Sequence, residues 1–214
     1  MEPKRRFSSG GGRVAAVVLG MLVLVSLGVA AQERPDALVL YRQRNYEAAV
    51  EVTLAEIAEN PSNLDSYTVL GWSLLALGRN DDALRYGMQG LEVSRFDHRL
   101  VNVVGEAHFR LGNYVESLEY MQNYAALAPQ GNLIDEVYYV MGEIHLRIEE
   151  YNHADIALTT AVFLDGTRSE WWTRLGYARE MAGLLQTAEE AYRAALERNP
   201  ASIEAQRGLE RVTG

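Results

Sequence analysis

The sequence predicts an all-α protein, an array of about five helix hairpins closed by a C-terminal helix. Three observations predict it. Glycine recurs at Gly71, Gly105, Gly142 and Gly176, at intervals of 34, 37 and 34 residues, and a period of that size marks a repeat architecture. A small residue follows each of these glycines by twelve positions, at Ala83, Ser117, Ala154 and Ala188, so each unit holds two helical stretches. The stretches carry apolar residues at helical spacing, as at Leu118, Met121, Tyr124 and Ala125, and are too short to bury that stripe alone. Neighbouring units must supply the core.

Taken in chain order, residues 1–31 differ in kind from the rest. Lys4, Arg5, Arg6 and Arg13 form a basic head, Val14 to Val29 is almost wholly apolar, and Val29-Ala30-Ala31 offers small residues for a peptidase. This is the layout of a secretory signal peptide cut before Gln32; the alternative is an uncleaved anchor through residues 14–31. Residues 32–61 form an abbreviated first unit, with Tyr46 and Ala49 at the positions of Tyr114 and Ser117 and a stop at Pro61. In the second unit, 64–97, Leu77-Gly78-Arg79-Asn80 makes the turn. Its second helix contains Gly87 and Gly90, each costing up to about 1 kcal/mol against Ala. They read as a weak helix tolerated by stacking, with close approach of a partner as the alternative. The third unit, 98–134, passes Pro129 and holds three extra residues within Gln130-Gly131-Asn132-Leu133, which lengthen one connection. The fourth unit spans 135–168. The fifth, 169–202, turns at Ala182-Gly183-Leu184 and stops at Pro200, since proline ends a helix without disturbing the turns before it. Residues 203–214 set Ile203, Leu209 and Val212 among charges, as a capping helix with one solvated face would.

The pattern resembles the tetratricopeptide repeat (TPR) family over nearly all of residues 35–212. The fifth unit fits best, through Trp172, Leu175, Gly176, Ala188, Tyr192, Ala195 and Pro200; the fourth supplies Tyr138, Met141, Gly142, Ala154, Leu158 and Ala161. The resemblance implies a right-handed α-solenoid of TPR hairpins that works by binding another protein.

Composition narrows the chemistry. The chain has no cysteine, which excludes disulfides, thiolate catalysis and Cys-ligated zinc. Without residues 1–31 it would carry 16 Arg, no Lys and 28 acids, a net charge of 16 − 28 = −12. Such a surface repels phosphate backbones, so no nucleic-acid partner is expected. No phosphate loop or nucleophile elbow is present, so neither an enzyme nor a cofactor is predicted. Of the histidines His98, His108, His145 and His153, the pair His108 and His145 shares one repeat position, which would put them about 10 Å apart on adjacent helices. They read as structural, and a metal site built on them is the minor alternative. His145 and His153 lack the i, i+4 spacing of two ligands on one helix.

Within the family the first helices of the hairpins line a concave groove. Carried over residue by residue, that face comprises Trp72 with Thr68 and Leu75; Asn102, Glu106, Phe109 and Arg110; Tyr139, Glu143, Leu146 and Arg147; and Tyr177 with Thr173 and Glu180. The family's carboxylate clamp needs Lys and Asn, whereas Glu106 and Glu143 stand at its asparagine positions. The expected occupant is therefore a basic-apolar peptide or protein segment held on aromatic rings beside an acidic wall. The expected role is a scaffold or adaptor in a cell-envelope complex, exported to the periplasm. A small-ligand carrier that encloses Trp72, Phe109, Tyr139 and Tyr177 is the alternative.

Overall fold

The computed structural model describes residues 35–214; the expected signal peptide or anchor lies outside the described residues. Within them the chain forms eleven α-helices and no strand. A short α1 (Ala37–Arg42) precedes α2 (Tyr46–Glu59), and three pairs follow: α3 (Leu64–Ala76) with α4 (Asn80–Val93), α5 (His98–Leu111) with α6 (Tyr114–Leu127), and α7 (Ile134–Arg147) with α8 (Tyr151–Leu164). Then come α9 (Ser169–Met181) with α10 (Leu185–Arg198) and the terminal α11 (Ile203–Thr213). Consecutive helices pack on one another, and the first helices of successive hairpins also pack together, while between second helices Tyr120 of α6 reaches Met88 of α4 with its side chain. The result is a right-handed α-solenoid with the first helices on its inner layer.

Local chemistry sets the boundaries. Asp36, Asn63, Asp97 and Ser202 cap the N-termini of α1, α3, α5 and α11 with their side chains, satisfying amides that have no partner within the helix. Pro61, Pro129 and Pro200 stand just past the ends of α2, α6 and α10. The connection from α6 to α7, residues 128–133, is longer than its counterparts at 94–97 and 165–168. There α7 starts after Leu133, which offers no capping side chain. Inside the hairpins every turn takes one left-handed residue: Arg44, Gly78, Gly112, Glu149 and Gly183. Glycine holds that conformation without penalty, whereas Arg44 (φ 62°) and Glu149 (φ 61°) bear the steric cost of a Cβ.

Each core cluster is shared between hairpins. Leu70, Leu74 and Leu75 of α3 pack with Val50 of α2, Ala83 of α4 and Val103 and Ala107 of α5. Met121 and Tyr124 of α6 meet Val101 of α5 and Val137 of α7, which is how the short stripe of residues 118–125 is covered. Leu146, Leu158, Trp171 and Leu175 join α7, α8 and α9. Gly87 and Gly90 sit in a continuous helix that is stacked on its neighbours, and the close approach at them is made by the next hairpin. They are buried, and a Cβ on them would lie 2.8 Å from Val104 Cγ2 and 2.7 Å from Leu100 Cδ1 respectively. Their absent side chains let α4 lie close against α5 of the next hairpin.

At the C-terminal end the Tyr192 ring is gripped between two glycines. A Cβ on Gly176 would stand 2.7 Å from the ring, and one on Gly208 would stand closer still. The Tyr192 hydroxyl donates to Glu180 Oε2 at 2.6 Å, and Arg211 Nε donates to Glu180 Oε1 at 2.6 Å. Two substitutions should therefore move stability in opposite directions when followed by urea unfolding. Gly208→Ala overpacks the ring and should lower stability by ~1–3 kcal/mol. Glu149→Gly relieves the left-handed strain and should raise it by up to ~1 kcal/mol.

Candidate functional site

The first-helix face contains a cleft of about 510 Å³ lined by Tyr41 of α1, Trp72 of α3, Asn102 and Glu106 of α5, and Glu136 of α7. His98, Arg99 and Tyr124 also line it, and Gly131, Asn132 and Leu133 of the long α6–α7 connection complete its wall, so the extra residues of the third unit contribute directly to this cleft. The Trp72 ring lies against Tyr41, with centroids 5.6 Å apart. Burial first, and then the neighbouring Tyr46, Glu106 and Glu136, hold the Tyr41 hydroxyl above its ordinary pKa. Both carboxylates thus act on the aromatic floor of the cleft.

The sequence-predicted face is only partly brought together here. Trp72, Asn102 and Glu106 share the cleft, although Asn102 is itself buried. Glu106 is half-buried and bonded by Arg110, whose other nitrogen reaches the Leu75 carbonyl at the end of α3. Phe109 lies under the Arg147 guanidinium, 4.8 Å from its centre. Tyr139 stacks on Trp171 of α9 with centroids 5.0 Å apart and planes 12° from parallel, and its hydroxyl donates to Glu170. Tyr177 sits beside Arg174 at 5.4 Å.

Glu143 corrects the expected acidic wall. Its side chain is 8% exposed and is held by Arg147 of its own helix and Arg174 of the next. A charge so placed needs its partners to offset desolvation, which leaves it little to offer a ligand. Thr68, Leu75, Leu146 and Thr173, also mapped to the face, are buried. The four rings expected to enclose a small ligand do not converge on one cavity. Trp72 meets Tyr41, Phe109 meets Arg147, Tyr139 meets Trp171, and Tyr177 meets Arg174. The His108 and His145 pair does not form a metal site either: His108 stacks on Tyr120, whereas His145 turns towards Glu150.

Sequence reasoning missed Tyr41, Asn132 and Glu136. Tyr41 belongs to the degenerate first unit and Asn132 to an insertion, so the repeat register assigned neither a role. It also missed the polar links that join first helices one repeat apart, Asp65–Arg99, Glu143–Arg174 and Glu180–Arg211, and the bond from Glu136 to Arg168 just before α9. Their signal was present as acids followed by arginine after 31 to 34 residues.

Comparison with known proteins agrees with this geometry. A family model described as tetratricopeptide repeat matches residues 36–92, 68–132 and 139–203. Among solved structures, MamA from Desulfovibrio magneticus RS-1 superposes with a TM-score of 0.69 at 18% identity, over 78% of this chain and 93% of that one. YrrB, described as a TPR protein with an unusual peptide-binding site, gives 0.69 at 19% identity, over 76% of this chain and 82% of its own. A thermophilic TPR protein of Thermus thermophilus gives 0.58 at 20% identity, over 82% of this chain and 94% of that one. A search of curated proteins returned no significant match. The chain belongs to the tetratricopeptide repeat family.

Proposed function

We propose that this chain is a non-catalytic scaffold that binds a protein segment on its first-helix face, at the cleft of Tyr41, Trp72, Glu106 and Glu136, within an assembly of the cell envelope. The observation that carries the reading is that cleft. It sets half-buried rings beside carboxylates on the inner layer, where Trp72 packs on the core with one side and the accessible aromatic surface is open to a partner. That YrrB bears a peptide-binding site supports the same use of the fold. The segment we infer is apolar with a Lys or Arg, because Glu106 and Glu136 flank the rings. Glu143, engaged by two arginines, is left out of the recognition set. Export through residues 1–31, with or without cleavage before Gln32, would deliver the scaffold to the periplasm or hold it at the membrane facing it. Among the described residues no helix is long and apolar enough to cross a membrane.

Photocrosslinking in the producing cell tests the reading whatever the partner's identity. A photoreactive residue at Asn132, in the cleft wall, should trap a discrete envelope protein. One at Phe163, 85% exposed on the outer α8, should not. Trapping from Phe163 alone would move the interface to the outer layer. With the trapped protein purified, Glu106→Gln combined with Glu136→Gln should slow association and flatten its salt dependence, and Trp72→Ala should mainly speed dissociation.

A further inference from the structure

Away from the cleft, the α7–α8 hairpin gathers a polar cluster that the binding face does not use. His145 lies in the last turn of α7 and is 8% exposed, with Nδ1 2.8 Å from Glu150 Oε2. His153, in the first turn of α8, brings its Nδ1 to 3.3 Å from the same oxygen. The two imidazole centroids are 5.2 Å apart, and the three donor atoms lie within 4.8 Å of one another. The turn creates this convergence. Glu149 takes the left-handed conformation, and the Glu150 amide donates to the His145 carbonyl at 2.8 Å. Residues on two antiparallel helices thereby face each other, which a search for i, i+4 ligands along one helix overlooks.

We propose that His145, Glu150 and His153 form a binding site for a divalent transition metal of the zinc type. The donors are both histidine Nδ1 atoms and the Glu150 carboxylate, and water completes the coordination. Two imidazoles and one carboxylate are the donor set that favours zinc and its neighbours over calcium or magnesium. The spacing fits as well. Zinc held at about 2.0–2.1 Å by tetrahedral ligands separates its donors by roughly 3.4 Å. The His153–Glu150 distance is already near that value, the His145–Glu150 pair opens by about half an ångström, and the two imidazole donors, within 4.8 Å of each other, adjust by rotation of the exposed His153 side chain. The buried His145 gives the site a fixed wall, while Glu150 and His153, exposed by 47% and 66% at their side chains, leave an entry path from solvent. A bound ion would cross-link the end of α7 to the start of α8 across a turn that lacks the glycine found in three of its counterparts.

The test uses the untagged full chain, stripped with chelator and titrated with Zn2+ against a chromophoric competitor, alongside thermal melts with and without Zn2+. We expect one equivalent of Zn2+ per chain and a melting midpoint that rises with Zn2+ concentration, as binding to the folded state requires. His153→Ala and Glu150→Gln, both exposed and not expected to disturb folding, should each weaken binding at least tenfold. His108→Gln should leave it unchanged. Substituted Co2+ should give the visible absorption of a tetrahedral nitrogen and oxygen site, and lose it in His153→Ala. Wild-type affinity no tighter than that of His153→Ala, with helicity equal in both, overturns the proposal; so does equal weakening by His108→Gln.

Discussion

A helix hairpin of this length leaves an apolar stripe on each side, and in this chain the neighbouring hairpin covers it. The buried clusters make the dependence concrete: Val103 and Ala107 of α5 complete the core of α3, and Val137 of α7 completes that of α6. Where two helices must come close, the sequence removes side chains, at Gly87 and Gly90 against α5 and at Gly208 against Tyr192. Stability in such an array is a sum of unit terms and nearest-neighbour interfaces, so these contacts decide whether the units act as one surface.

The polar groups of the first helices follow the same logic. Arg99, Arg168, Arg174 and Arg211 each reach an acid on the preceding first helix. Between α5 and α7 the link is Arg147 over Phe109. A face that uses its charges internally presents few of them to a partner. Where the long α6–α7 connection stands beside α3 and α5, the rings of Tyr41 and Trp72 are flanked by Glu106 and Glu136, each held by one arginine, Arg110 and Arg168 respectively, and still partly exposed. The insertion that perturbs the repeat thus contributes to a concavity on its inner layer.

The repeat was legible because close helix approach admits so few residues. Gly71, Gly142 and Gly176 each stand where a Cβ would collide with Val103, Leu158 or Tyr192, so their period reports the hairpins directly. The inner face was legible only in part. Position in the repeat identifies the helix layer a residue occupies, and Trp72 and Glu106 do stand on the first-helix layer at one cleft. It does not reveal that Arg147 and Arg174 both converge on Glu143, because that depends on rotamers on two helices. At Gly87 and Gly90 propensity describes only their own helix, whereas the packing that tolerates them is set by Val104 and Leu100 across the interface.

Contacts one repeat apart hold the first-helix face together, and the Glu143–Arg174 pair isolates one of them. A double-mutant cycle of Glu143→Ala and Arg174→Ala in urea, with Arg147 retained, measures that contact. A coupling energy above about 1 kcal/mol is expected for contacting groups in one network. Additive effects, agreeing within about 0.3 kcal/mol, would contradict it.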